Sequence, residues 1–188
     1  MGAFNMRIWK LESVPDEYRS FNVEDESDRD IIKQKVDKGL RVAEWKPLNI
    51  ESYDNIRIGD NSTFFGYMII PLINQRAKDI FFEKFKDYIQ PLSVIDCKTK
   101  MEYYLVNILN IIDGIDYSQS KFKKLSFDII VDVTEYVFKD IVRDIPIFKI
   151  YLDGAIVTTN IFVNDVFKKT IEDNNLKGFD FIEVYKFD

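Results

Sequence analysis

The 188 residues are 46% hydrophobic, with 16 Phe, 10 Tyr and 2 Trp, enough to bury a core without disulfide or metal staples. A formal charge of −6 argues against holding nucleic acid or an anionic membrane through clustered Lys and Arg. The one cysteine, Cys97, permits no internal disulfide, and the apolar runs 64–73 and 103–112 are broken by Gly66, Asn107 and Asn110, short of the ~20 residues of a membrane span, so the expected address is the cytoplasm.

No Gly/Ser/Pro-rich linker interrupts the chain, and residues 1–188 are expected to form a single domain. Asn5–Leu11 reads as a strand, with Met6, Ile8 and Lys10 on one face and Arg7, Trp9 and Leu11 on the other. Residues 12–30 then hold eight acids against only Arg19 and Arg29. Like charges repel, so this segment reads as a solvated connection. Its alternative role is to steer a basic partner, which makes Glu24, Asp25, Glu26, Asp28 and Asp30 candidate partner-binding residues. Residues 29–39 predict a short helix ending at Gly39, with Ile31, Ile32, Lys35 and Val36 at helical spacing. Residues 40–59, with Pro47 and polar runs at 49–52 and 54–55, predict loops and one edge strand.

Phe64–Ile70 is strand-like, and Pro71 leads into a helix over Asn74–Lys86. There Ala77, Ile80, Phe81, Phe85 and Tyr88 make one apolar stripe, and Asn74 is the expected N-cap. Gln90–Ile95 predicts the next strand. The apolar run Tyr103–Ile112 and a polar loop at 116–121 follow. A long strand is then expected over Phe127–Phe138, with Phe127, Ile129, Val131 and Val133 facing one way and Asp128, Asp132 and Thr134 the other. Ile147–Leu152 is another strand. A second strand–helix–strand unit closes the chain: Ile156–Val163, then a helix capped by Asn164 with Val166, Phe167, Thr170 and Ile171 inward, then Phe179–Tyr185. A distant internal repeat or independent use of the same cap chemistry explains the likeness of the two units equally well. Roughly six strands, two main helices and long irregular connections give an α+β fold around a mixed or antiparallel sheet.

The chain contains no histidine, which removes the commonest general base, the Ser-His and Cys-His nucleophile pairs and the usual zinc sites. Neither a Walker A loop nor G-x-G-x-x-G is present, so no cofactor motif is expected. The sharpest catalytic alternative is Asp87 followed by Asp96-Cys97-Lys98. Two acids could hold magnesium while the lysine helps activate water, as in a nuclease-like hydrolase. Asp113 with Asp116, or Asp128 with Asp132, could in principle serve as a glycosidase acid and base, but read more simply as surface acids. Asn107 and Asn110 read as buried amides that hold loops or bulges through backbone hydrogen bonds.

The stretch Tyr103-Tyr104-Leu105-Val106-Asn107-Ile108-Leu109-Asn110-Ile111-Ile112-Asp113-Gly114-Ile115-Asp116 resembles the "YYLLNVLNVVDALD" core of immunity protein family eleven of bacterial polymorphic toxin systems. Ile147–Ile150, Val163-Asn164-Asp165 and Leu176–Val184 are similar to that family's "IFRI", "VSDEF" and "GLKGFEFIEV" segments, and Ile73–Ala77 to its "VSERA". The resemblance spans about residues 64–186 and leaves the acidic N-terminal residues 1–63 unmatched. It implies a non-enzymatic cytoplasmic antidote that binds and neutralises a cognate toxin, often encoded beside it, with no catalytic residue, metal or cofactor. Asn107, Asn110, Asp113, Asp116, Asn164 and Gly178 stand at its motif positions as structural residues. Whether the antidote is a monomer or a homodimer is left open.

Overall fold

The computed structural model describes residues 6–36, 38–53, 56–65, 69–125 and 129–188. The first half runs β1 (Arg7–Ser13), β2 (Ser20–Val23), α1 (Glu26–Lys35), β3 (Leu48–Ser52), β4 (Asn61–Phe65), β5 (Leu72–Ile73), α2 (Gln75–Phe85) and β6 (Ile89–Asp96). The second half runs β7 (Glu102–Ile108), β8 (Ile111–Ile112), β9 (Lys121–Lys124), β10 (Ile130–Glu135), a 3₁₀ turn (Asp140–Val142), β11 (Ile147–Leu152), β12 (Ala155–Ile156), β13 (Phe162–Asn164), α3 (Asp165–Asp173) and β14 (Phe179–Lys186). The fold is α+β.

Six strands close a barrel in the order β2-β3-β6-β7-β5-β4, completed by the parallel pairing of β2 with β4. A second sheet runs β12-β11-β13-β1-β14, with β8 added to β11, and β9 and β10 form a separate two-stranded ribbon. Both units anticipated around the capped helices have one topology. Strands β5 and β6 both lie antiparallel to β7, which sits between them, and β13 and β14 flank β1 in the same way. The caps are local chemistry: Asn74 Oδ1 accepts from the Ala77 N–H (2.9 Å), and Asn164 Oδ1 from those of Val166 (3.0 Å) and Phe167 (3.2 Å).

Alternation along the strands produces three apolar layers. Phe21, Ile50, Phe64, Leu72, Leu92, Val94, Tyr103 and Leu105 fill the barrel, and α1 closes it with Ile32 and Val36. The outer wall of β5, β7 and β6 packs on α2 and α3, where the Phe167 ring lies 4.9 Å from both Phe81 and Phe85. Ile8, Phe138, Phe148, Ile150 and Phe162 fill the far side of the second sheet.

Barrel and sheet are locked where the turn after α3 meets the start of β4. The Lys177 carbonyl accepts from the Asp60 (2.9 Å) and Asn61 (3.0 Å) N–H groups, and the Lys177 N–H donates back to Asp60 Oδ2 (2.8 Å). Asn61 Nδ2 donates to the Gly178 carbonyl (2.9 Å). Gly178 has φ +90°, and a Cβ there would stand 2.1 Å from the Asn61 carbonyl oxygen. Only a residue without a side chain permits that approach.

Several expectations are corrected. The first helix is Glu26–Lys35, not 29–39, because Asp25 caps it through the Ser27 N–H (2.8 Å) and Val36 is already extended. Gly39, in the left-handed region at φ +69°, lies beyond its end. The strand expected at an edge within 40–59 is β3, an interior barrel strand between β2 and β6. The strand expected over Phe64–Ile70 is Asn61–Phe65, and Ile156–Val163 divides into β12 and β13. There the fully buried Lys149 ammonium donates to the Ile69 (3.2 Å) and Thr158 (3.3 Å) carbonyls, and the Ile69 N–H donates to the Thr158 carbonyl (3.2 Å). The strand expected over Phe127–Phe138 shortens to Ile130–Glu135; Phe127 and Asp128 lie outside the described residues. Of the described residues of its supposed inner face Val133 is buried, while Ile129 and Val131 are exposed on a ribbon with two register shifts. Val166 also faces outward, one position off the stripe of Phe167, Thr170 and Ile171.

Gly178→Ala is expected to cost about 3 kcal/mol or more in urea denaturation, combining left-handed strain with a backbone collision. Gly154→Ala, at φ +78° with open space around it, should cost only about 1 kcal/mol. Equal losses would refute the close-approach account.

Candidate functional site

The structure separates the residues of the magnesium alternative. Asp87 lies in the exposed turn before β6 and Asp96 is the last residue of that strand, so the strand's length, about 25 Å, separates them. The Asp96 carboxylate is engaged by the Lys98 N–H (3.1 Å) and Thr99 Oγ1 (2.6 Å). Lys98 Nζ pairs with Glu51 (2.8 Å) and donates to the Ser52 carbonyl (2.9 Å), and the Glu51 hydrogen bond raises its pKa. The Cys97 thiol is pushed up by burial and then by Glu24, Glu51 and Asp96, the opposite of an activated nucleophile. Among the described residues no group of three or more Cys, Asp or Glu side chains could hold a metal ion.

The motif residues are spread through the frame. Asn107, fully buried in β7, donates to the Leu40 carbonyl (3.0 Å) and to Gln90 Oε1 (3.2 Å). Gln90 in turn bonds both backbone groups of Val42, which ties the 40–42 loop to the barrel. The Asn110 carbonyl accepts from the Lys149 N–H (2.9 Å), where the chain leaves the barrel for the second sheet; its side-chain Nδ2 is buried with no hydrogen-bond partner among the described residues. Asp113 pairs with Lys139 at the surface (3.0 Å). Asp116 organises its own turn, and its pKa is lowered by the Ser118 and Gln119 hydrogen bonds. Asp132 Oδ1 accepts from the next N–H (2.8 Å). Asp128, the partner considered for Asp132, lies outside the described residues.

A cavity of about 320 Å³ lies between β1 and β4, lined by Leu11, Ser13, Ser62, Thr63 and Ile161 among others. Among the described lining residues the one ionisable group, Glu12, is paired with Lys10 (3.6 Å).

The acidic segment divides into two. Glu12 and Glu17 are neutralised by Lys10 and Arg57, the latter at 2.6 Å. Among the described residues Glu24, Asp25, Glu26, Asp28 and Asp30 form no ion pair. Glu24, Asp25, Glu26 and Asp28 surround an open hollow of about 540 Å³ together with Asn49. Burial, then repulsion from Asp25 and Glu24, raises the pKa of Asp28, while the Ser27 backbone and side-chain hydrogen bonds lower that of Asp25. Asp30 is exposed one helical turn beyond Glu26.

Beside this hollow lies a feature that sequence reasoning missed. A second pocket of about 180 Å³ is lined by Asn22, Val23, Glu51, Ser52, Tyr53 and Lys98. At its rim the Tyr53 and Phe65 rings meet edge to face at 5.8 Å, and Tyr53 is 68% and Phe65 50% exposed. The alternation Leu48-Asn49-Ile50-Glu51-Ser52 could have revealed β3, but no sequence signal marks Tyr53 as an outward ring.

In this α+β architecture Asp87, Asp96 and Lys98 are not assembled into one site. The sequence model of the Immunity protein family (Imm11) matches residues 63–186, and the chain belongs to that family. Membership implies a non-enzymatic role and, in general, a toxin as partner. No curated protein matches the chain. Among the described residues no helix is long and apolar enough to cross a membrane.

If Asp87, Asp96 and Lys98 formed a metal site, millimolar magnesium would raise the melting temperature by mass action. The separated geometry predicts an unchanged melting curve with and without magnesium, checked by calorimetry.

Proposed function

We propose that this chain is a non-enzymatic immunity protein that binds and neutralises a cognate bacterial toxin domain in the cytoplasm. The observation that carries the reading is the family match over residues 63–186. The apolar layer shared by barrel, sheet, α2 and α3 supports treating residues 1–188 as a single domain. Neutralisation would proceed by occluding the toxin's active site or its substrate path, which needs about 1,200–2,000 Å² of total buried surface.

Glu24, Asp25, Glu26, Asp28 and Asp30 belong to the contact surface in this reading. They form no ion pair among the described residues, share one end of the barrel, and precede the matched residues, so they can change with the toxin while the family frame stays intact. Their field would accelerate encounter with a basic partner more than it would deepen affinity.

The direct test is co-purification with the toxin domain encoded in the adjoining reading frame. A stoichiometric complex in which the toxin's activity is abolished is expected; an active toxin in the presence of excess protein would refute the function. In stopped-flow association at about 20 mM salt, Glu24→Lys with Glu26→Lys and Asp25→Asn, which keeps the helix cap, should lower the on-rate by roughly 10–100-fold. The difference should shrink at about 0.5 M salt. An on-rate unchanged at low salt would remove these acids from the surface.

A further inference from the structure

The barrel is covered unequally. Its β5–β7–β6 wall carries α2, α1 closes one end, and β1 and the 177–178 turn meet the outer face of β4 at Thr63 and Asn61, but the other end of the β4–β2–β3 face keeps Phe65, Glu51 and Tyr53 exposed. Register makes that face a row. Phe65 on β4 is the partner of Asn22 on β2, and Asn22 is the partner of Glu51 on β3; paired residues point to the same side. Phe21, Val23, Ile50 and Phe64, which alternate with them, point into the barrel. Tyr53 extends the row, with its hydroxyl accepting from Asn22 Nδ2 (3.4 Å) and its ring set against Phe65.

We propose that this β4–β2–β3 face is where the toxin seats, with Tyr53 and Phe65 as the apolar anchor and Glu24, Asp25, Glu26 and Asp28 receiving a basic patch of the toxin beside it. The inference rests on the immunity reading above and adds the location and chemistry of the interface. Two mutually braced aromatic side chains, half or more exposed, are the residue type that dominates binding hot spots, and bracing reduces the rotamer entropy lost on docking. Charge selects the occupant. The acids continue directly from the row, since the Glu24 N–H bonds the Asn49 carbonyl (3.0 Å) at the end of the β2–β3 pairing. The base on the row, Lys98, is consumed by Glu51 and the Ser52 carbonyl. The face therefore presents net negative charge, which repels nucleic acid, anionic membrane and a second copy of itself, and favours Lys and Arg side chains. Another exposed apolar cluster, Leu125, Ile129 and Val131 at the β9–β10 ribbon, stands beside Lys123, Lys124 and the Lys121–Glu135 ion pair and lacks the acidic surround of the β4–β2–β3 face.

The test measures binding to the catalytically inactivated toxin domain encoded beside the gene, by calorimetry and surface kinetics. Tyr53→Ala and Phe65→Ala should each weaken binding by roughly 30-fold or more, chiefly through faster dissociation, while Tyr53→Phe, which keeps the ring, stays within about threefold. Val131→Asp on the ribbon should also stay within about threefold. Urea denaturation of each variant verifies that its fold is retained, as the exposure of both rings leads one to expect. Wild-type binding with both alanine variants unaffected would overturn this interface and leave the immunity function standing. Weakening by Val131→Asp alone would overturn it in favour of the ribbon. No binding by the wild type would overturn both readings.

Discussion

Asp60 is the point on which the two strand systems depend. Its carboxylate is almost wholly buried and accepts from Asn74 Nδ2 (3.0 Å), Arg76 Nη1 (3.1 Å) and the Lys177 N–H (2.8 Å). One acid thereby fixes the N-terminus of α2, the start of β4 and the turn after α3. A carboxylate taken out of water is tolerated only when its lone pairs are engaged, and here they are engaged by groups from distant segments of the chain. Arg76 completes the lock by donating to the Asn174 carbonyl (2.5 Å) at the end of α3. Gly178 belongs to the same lock, because the backbone of Asn61 must reach the Lys177–Gly178 peptide for these bonds to form.

This lock explains why one side of the barrel is covered by helices while another is not. Once α2 and α3 are pinned back to back through Phe81, Phe85 and Phe167, the β5–β7–β6 wall has its partner and the apolar area there is removed from water. Among the described residues the β4–β2–β3 wall receives no helix from this arrangement. Its strands are nevertheless held from behind by the packed barrel interior and by closure, which leaves no free edge to pair adventitiously. A surface built on closed strands holds its side chains more precisely than one built on loops.

What could be read in the sequence was local. Asn74 and Asn164 announced their helices because a cap needs only residues two or three positions away, and α2's stripe followed from one period. Roughly six expected strands became fourteen among the described residues, partly because β2, β5 and β8 are two to four residues long and exist through distant partners, and partly because the apolar run 103–112, not read as a strand, holds the seven-residue β7. The closing of the barrel by β2 with β4, and of β3 with β6, is parallel pairing between segments with no hairpin signal between them. Lys149 was legible as a basic residue in an apolar strand, but not as the group that would bind the Ile69 and Thr158 carbonyls. At the candidate surface the acids were visible as a charge run. Tyr53 was hidden because outward and inward aromatics look alike until register is known.

Register also decides what kind of surface this is. Had β2 slipped by one residue, Asn22 would face the barrel and Phe21 the solvent, which would expose another ring and bury an amide without a partner. The observed register is fixed by Phe21 against Tyr103 inside, with ring centroids 4.8 Å apart, and by the α1 plug at Ile32 and Val36. Core packing therefore specifies the outward row of Phe65, Asn22 and Glu51 as firmly as it specifies the inward one. A few side chains on that row, and on the acidic turn that follows it, can then change without disturbing the hydrogen bonds that close the barrel. A fixed frame with an independently variable outer row lets one fold serve partners of different chemistry, and it places the burden of specificity on surface side chains.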